Sequence, residues 1–383
     1  MLCFFPWLKI REKKAFDGFE LIPYKRGASI DSLDKEQVEA VDLTTQPFVT
    51  LKDQPVTDCT LLRVSSNGVT EDLNDEERDA AFLFAELIAV SCLSIRDFFQ
   101  YGRYCNRDNF SLFIQRYEQK PKHVAILSKR RDGTTWNSLP LDKYRVQKPE
   151  HVHLSDTIKI DENLLNSLLL SKDLEEWDKI TDSLLFYNLA NRDSPDARDF
   201  TEIIFLVSAF ERLISTKPGN EDALAEGLVS LLVPKKEIPL TGCERIAAMD
   251  QDRFRNSSSI RDIWVRDLYR FRNSHAHGNV DATHPTVWSS MNHLLLGSFI
   301  YPVVLKLFLK NLNLYTLTEK DEACIEAFEK LTCAEHFEEK QDATDRAEPN
   351  NHPWNSIISE TSSELIWDRI AQKIEEQFPE TGK

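Results

Sequence analysis

Two patterns of apolar spacing divide the chain. Up to about residue 155, short apolar runs of strand length alternate with turn signals, and from about Asp156 the apolar positions recur at helical period. In the first stretch Cys59–Val64 and His123–Ser128 read as strands that precede the hairpin-type dipeptides Asn67-Gly68 and Asp132-Gly133. Between them the pattern predicts a helix over about 75–99. Asn74 is placed to cap it, Glu77 to reach back in a capping box, and Phe82, Phe84, Leu87, Ile88 and Val90 to supply a buried face. In the second stretch helices are predicted near 161–171, 173–192, 197–215, 220–233, 258–277, 284–312 and 318–332. Pro195, Pro218-Gly219, Pro234, Pro239 and Gly278 separate them, and Thr283 with Pro285 marks the start of the helix over 284–312. The expected architecture is an α+β N-terminal module (1–155) followed by an all-α helical bundle (156–335). A charged flexible connector (336–353) then leads to a C-terminal amphipathic helix (354–383), which packs on its own chain or on a partner.

Composition changes this picture in two places. The formal net charge of -16 over 383 residues argues against a general nucleic-acid coat, because phosphate binding needs local positive charge. Seven cysteines, an odd number with no C-x-x-C pair, argue against a disulfide framework or zinc knuckle and fit a reducing cytoplasm. Met1–Leu8 is apolar but lacks a basic leader and a small-residue cleavage site, so it makes a poor signal peptide. Leu294–Leu305 is too short to span a bilayer and contains Pro302, so it reads as a buried core helix, and no membrane is expected as partner. No Gly-rich phosphate loop, H-E-x-x-H or G-x-S-x-G is present, and no cofactor is expected.

The candidate chemistry lies in Tyr269-Arg270-Phe271-Arg272-Asn273-Ser274-His275-Ala276-His277-Gly278, at the end of a helical stretch that Gly278 is suited to close. From Arg253 to Arg272 there are six arginines and two aspartates, a local excess of four positive charges where a polyanion would sit. RNA is cut without metal when its own 2′-OH attacks the adjacent phosphorus. That step needs a group titrating near neutrality, for which histidine is suited, and a fixed cation beside the phosphoryl oxygens, for which arginine is suited. Arg272 and His277 are five residues apart and stand roughly 140° apart on a regular helix. Either the helix unwinds before His277 or a second copy supplies one of the two groups, while His275 shares the face of Arg272. His275 and His277 point too far apart to grip one metal ion, and no metal is expected there.

The segment resembles the R-x4–6-H signature of the HEPN superfamily, with the polar Asn273 after the arginine. The fuller pattern Tyr269-x-x-Arg272-Asn273-x-x-x-His277-Gly278 resembles the ApeA-like branch. Phe186-Tyr187-Asn188-Leu189-Ala190, the helix 205–214 with Glu211, and the following Gly219-Asn220-Glu221 agree with that branch, and Phe210 stands where leucine is commoner. The resemblance covers roughly 160–312 and implies a HEPN helical bundle that dimerises, with Arg and His meeting between protomers. It implies a metal-independent endoribonuclease of anti-phage, toxin or abortive-infection systems that leaves a 2′,3′-cyclic phosphate. Carried over by position, Arg272 is the phosphate-binding cation, His277 moves the proton and Asn273 orients the pair. Glu211, Tyr269 and His275 are candidate supports, and Arg266 and Arg270 candidate RNA contacts. A homodimer, an RNA substrate and a trigger or inhibitor protein are the partners implied, with the N-terminal module a sensor. The alternative is a catalytically inactive HEPN module that binds RNA, a nucleotide or a protein partner. Each residue also has a plainer reading: Asn273 as a helix-end cap, Glu211 as the partner of a nearby arginine, the arginines as a solvated stripe.

Overall fold

A computed structural model describes residues 1–30, 33–64, 71–99, 104–118, 122–152, 158–217, 219–247, 257–276, 286–339 and 352–377. The chain forms two units, one of residues 1–172 with 192–195 and the other of 173–191 with 196–383. An N-terminal sheet followed by a mostly helical region matches the expected order.

Alternation builds the first unit. Its seven-stranded antiparallel sheet has the order β2 (Lys14–Phe16), β3 (Phe19–Lys25), β5 (Asp58–Val64), β1 (Leu2–Phe5), β6 (Phe113–Gln115), β7 (His123–Arg130), β8 (Gly133–Pro140). The apolar start of the chain is its central strand, for Phe4 pairs with Leu61 on one side and Phe113 on the other. Leu2, Phe4, Ile22, Tyr24 and Leu61 form a buried layer. Over this layer lies the parallel pair β4 (Phe48–Val49) and β9 (Val146–Gln147), and Phe48 packs edge-on to Phe4 at 4.9 Å. The Asp132-Gly133 turn joins β7 to β8 as predicted. Asn67 and Gly68 lie outside the described residues, and β5 is paired with β3 and β1 rather than with a strand after that turn. Helix α1 (Lys35–Thr45) precedes β4.

Helix α2 (Asp75–Leu93) carries the expected capping box: the Glu77 amide donates to Asn74 Oδ1 and the Asn74 amide to Glu77, both at 2.9 Å. It ends at Leu93, short of Phe99; the Ser94 hydroxyl donates to the Ser91 carbonyl at 2.9 Å and Phe99 takes a positive φ of 60°. Helix α3 (Glu162–Leu170), expected to open the bundle, packs on α2 instead. The unit boundary therefore falls after Lys172 rather than near 155, and Leu164, Leu165 and Leu168 are wholly buried.

The second unit comprises α4 (Trp177–Leu189), α5 (Asp199–Ile214), α6 (Glu221–Leu231), the single turn α7 (Glu244–Ala247), α8 (Ile260–Ala276), α9 (Ser290–Asn311), α10 (Glu319–Cys333) and α11 (Pro353–Gln377). Its core is aromatic. Tyr187 stacks on Tyr301 at 4.2 Å, and Phe210 meets both Tyr301 and Trp264 edge-on. Such edge-on pairs add about 0.5–1.5 kcal/mol each beyond area burial. Helix α9 is long and apolar enough to cross a membrane, but 78% of its most apolar window is buried within the unit. It begins at Ser290, six residues later than expected, because the Ser289 hydroxyl caps it by accepting from the Asn292 amide; Thr283 and Pro285 lie outside the described residues. Helix α11 packs on α10 of its own chain, with Trp354 and Leu365 buried and Ile366, Trp367 and Ile370 exposed on the opposite side. Residues 340–351 of the expected connector lie outside the described residues.

Candidate functional site

Helix α8 is fixed by Ile260, Ile263, Trp264 and Leu268, all wholly buried, which leaves its arginines to face other partners. Tyr269, Arg272 and Asn273 follow at helical spacing on one side. The Arg272 guanidinium lies over the Tyr269 ring with 5.2 Å to the centroid. It donates to Asn273 Oδ1 at 2.8 Å and to Glu211 Oε2 on α5 at 2.9 Å. The Arg272 side chain is 19% exposed and that of Glu211 9%. Burial and the Glu211 carboxylate push the Tyr269 phenol above its ordinary range, against the opposing pull of Arg272 and Asn273. The result is a cation held in one position by Glu211 and Asn273, above an aromatic ring.

The Gly219-Asn220-Glu221 segment completes the surroundings. Gly219 sits at φ 80°, a backbone region that favours glycine, and its amide donates to the other Glu211 oxygen at 2.9 Å. Asn220 caps α6 through the Ala223 amide at 3.0 Å. Glu221 grips Arg270 through two bonds, at 2.7 and 3.2 Å, and lies 3.4 Å from Arg266. Glu211, Tyr269, Arg272 and Asn273 are thus brought together, as expected of one site.

The described arginines of the basic island are paired in the fold. Arg266 is bonded to Asp222 and Asp262 at 2.5 and 2.6 Å, and Arg270 to Glu221. Arg261, only 2% exposed, bridges Glu329 and Glu237 at 2.7 and 2.6 Å. The four described arginines of the island are therefore met by six carboxylates drawn from α5, α6, α8, α10 and the segment before α7. Arg266 and Arg270 are tied into ion pairs rather than offered as free cations. Sequence counting missed this because every partner but Asp262 comes from another element. Arg253 and Arg255 lie outside the described residues.

His277 and Gly278 also lie outside the described residues, and His275 is described only as backbone in the last turn of α8. His293 is a core residue, wholly buried among Trp264, Trp288 and Phe271, with Nε2 3.3 Å from Asp267. Asp267, which the sequence reading passed over, also accepts from the Val287 and Trp288 amides at 2.7 and 3.2 Å. It returns the chain after α8 to the middle of that helix. Among the described residues no cluster of His, Cys, Asp and Glu could hold a metal ion. A cleft of about 290 Å³ between residues 235–239, α10 and α11 has its lysines already paired, Lys236 with Asp368 and Lys330 with Glu364.

The cysteines correct one expectation. Cys243 and Cys333, 90 residues apart, are joined as a disulfide, while Cys3, Cys59, Cys92, Cys105 and Cys324 are free. Their sequence spacing carries no signal of this, since the fold alone brings the end of α10 to the start of α7. No protein-family model, no curated protein and no solved structure matches this chain.

Proposed function

We propose that the chain is a metal-independent endoribonuclease of the HEPN type, with Arg272 and His277 as its catalytic residues. The observation that carries this reading is the Arg272 setting: a guanidinium pinned by Glu211 and Asn273 over Tyr269, on the last turns of the helix that leads directly to His277. A cation held in this way needs little reorganisation when charge builds on a phosphate, which is where electrostatic catalysis gains most. In the proposed reaction the 2′-OH of RNA attacks the neighbouring phosphorus, His277 moves the proton and Arg272 faces the phosphoryl oxygens. The leaving 5′-oxygen departs and a 2′,3′-cyclic phosphate remains. Two copies of the chain bring the groups together, the protein works in the cytoplasm in anti-phage or abortive-infection defence, and a trigger or inhibitor protein acts through the sheet unit.

A second reading is favoured by a specific observation. The arginines around the centre are matched by acids, which leaves less free positive charge to stabilise a phosphate as it reacts. On that reading the helical unit is a silent HEPN module that binds RNA, a nucleotide or a protein. Purified protein is incubated with bulk RNA in EDTA, beside Arg272→Ala and His277→Ala. Cleavage by the wild type alone supports the enzyme; RNA retained intact by all three supports the binder. Growth arrest on expression that either substitution relieves identifies an enzyme whose activity is latent in vitro.

A further inference from the structure

Residues 234–247, which follow α6, are laid as a strap along one side of α10. Glu322, Glu326, Glu329 and Cys333 follow one another at spacings of four, three and four, a single stripe of that helix. Each meets the strap in turn. Lys235 Nζ donates to Glu322 at 3.0 Å, and the amides of Lys235 and Lys236 donate to the two oxygens of Glu326 at 2.5 and 3.2 Å. The Ile238 amide donates to Glu329 at 3.4 Å, and Cys243 is bonded to Cys333. Arg245 then donates twice to the Ala334 carbonyl, at 3.1 and 2.9 Å. All of these anchors but one are hydrogen bonds or ion pairs. The sulfur anchor alone is made or broken by the transfer of two electrons.

The surroundings suit such an exchange. Cys243 is wholly buried and Cys333 is 8% exposed, but Thr241, Gly242, Glu335 and His336 beside them are exposed, so exchange proceeds through a local opening of the strap. The elements there are short, a three-residue turn at Leu240–Gly242 and the four-residue α7, and short elements open locally at low free energy. Cys3, Cys59, Cys92 and Cys105 are buried and Cys324 is half-buried; burial pushes Cys3, Cys59 and Cys105 up to about 12 and Cys324 up to about 11, which leaves them poor competitors for exchange at neutral pH.

We propose that Cys243 and Cys333 form a reversible disulfide latch that fastens the strap of residues 234–247 to α10. Closure transfers two electrons and two protons from the two thiols to a small-molecule disulfide such as oxidised glutathione, which departs as two thiols. A dithiol reverses it by forming its own disulfide and returning both hydrogens. The strap precedes α8 in the chain.

The full chain is treated, folded, with oxidised glutathione or with dithiothreitol, then alkylated with N-ethylmaleimide in denaturant and weighed. Oxidised protein is expected to take five maleimides and show a Cys243–Cys333 cross-link in its peptide map, and reduced protein seven, with unchanged circular dichroism. Hydrogen exchange over 235–247 rises about ten-fold on reduction, as expected when one anchor of a locally opening unit is lost. Cys243→Ser and, separately, Cys333→Ala exchange like the reduced wild type in both conditions, and Cys324→Ser follows the wild type. The wild-type comparison alone decides the matter if those variants fail to fold. Seven maleimides after oxidation, a cross-link to another cysteine, a bridge reduced only when the protein unfolds, or exchange over 235–247 unmoved by reduction would each overturn the latch.

Discussion

Removing the Arg272 guanidinium should separate its structural from its catalytic contribution. In Arg272→Ala the Glu211 carboxylate, 9% exposed, keeps the Gly219 amide but loses its charged partner. A buried acceptor stripped of a charged hydrogen bond costs about 1–3 kcal/mol. The lost cation over the Tyr269 ring adds roughly 0.5–1 kcal/mol. Together these give a destabilisation of about 1.5–4 kcal/mol, read from urea unfolding. On the proposed function the same change lowers RNA cleavage about 10²–10³-fold, the scale of one donor at a developing oxyanion. The double variant Arg272→Ala with Glu211→Gln tells the two apart. Glutamine keeps an oxygen for the Gly219 amide and removes the stranded charge, so about 1–2 kcal/mol of stability returns. Cleavage does not return, since no cation faces the phosphate. If the double variant recovers cleavage along with stability, Arg272 acts only through the fold. If folded Arg272→Ala cleaves like the wild type, Arg272 has no part in the chemistry.

Arg261→Met leaves Glu329, 1% exposed and held above the ordinary carboxylate range by burial, without its cation. Urea unfolding at pH 7 should show a loss of about 3–5 kcal/mol, and a loss under 1 kcal/mol would contradict the buried bridge. Burial would raise the Asp321 carboxyl, but Lys306 at 2.7 Å and the Thr318 hydroxyl and amide outweigh it and hold it below its usual range. Its contribution is therefore complete above the unfolded value of about 4 and is lost as pH falls from there through the lower folded value; Asp321→Asn should flatten this acid limb, and an unchanged limb would refute the assignment. Lys148 is 3% exposed, its Nζ has no hydrogen-bond partner among the described residues, and burial, helped by Lys9, pulls it down to about 8. The unfolded chain holds that proton more tightly, so stability rises with pH between about 8 and 10; Lys148→Met should remove the slope and add about 1–2 kcal/mol at pH 7, and a loss of stability would count against the unpaired amine.

Periodicity made the helices legible, because in a bundle the face that must be buried repeats every three or four residues. Capping chemistry made the start of α2 legible, because Asn74 and Glu77 act within one turn. Interactions closed by the fold were not legible. Asp161, just ahead of α3, bonds the Ser91 carbonyl at the end of α2 through its amide, and that pairing across 70 residues decides to which unit the helix belongs. The same holds at the candidate site. The grouping of Tyr269, Arg272 and Asn273 could be read from one helix, and Glu211 from resemblance. The carboxylates that pair with Arg261, Arg266 and Arg270 come mostly from other elements, so a local count of charge overstated the free positive charge that the described arginines offer. The disulfide follows the same rule, since 90 residues separate partners that only the packing of α10 unites.

The most direct measurement uses one short RNA with a single cleavage position and its copy carrying a 2′-deoxy sugar there, each incubated with the full chain in EDTA and weighed by mass spectrometry. The account predicts a 5′ fragment ending in a 2′,3′-cyclic phosphate from the first, none from the deoxy copy, and none from either with Arg272→Ala or His277→Ala. Cutting of the deoxy copy, a linear phosphate formed at once, or undiminished cutting by either variant would contradict it.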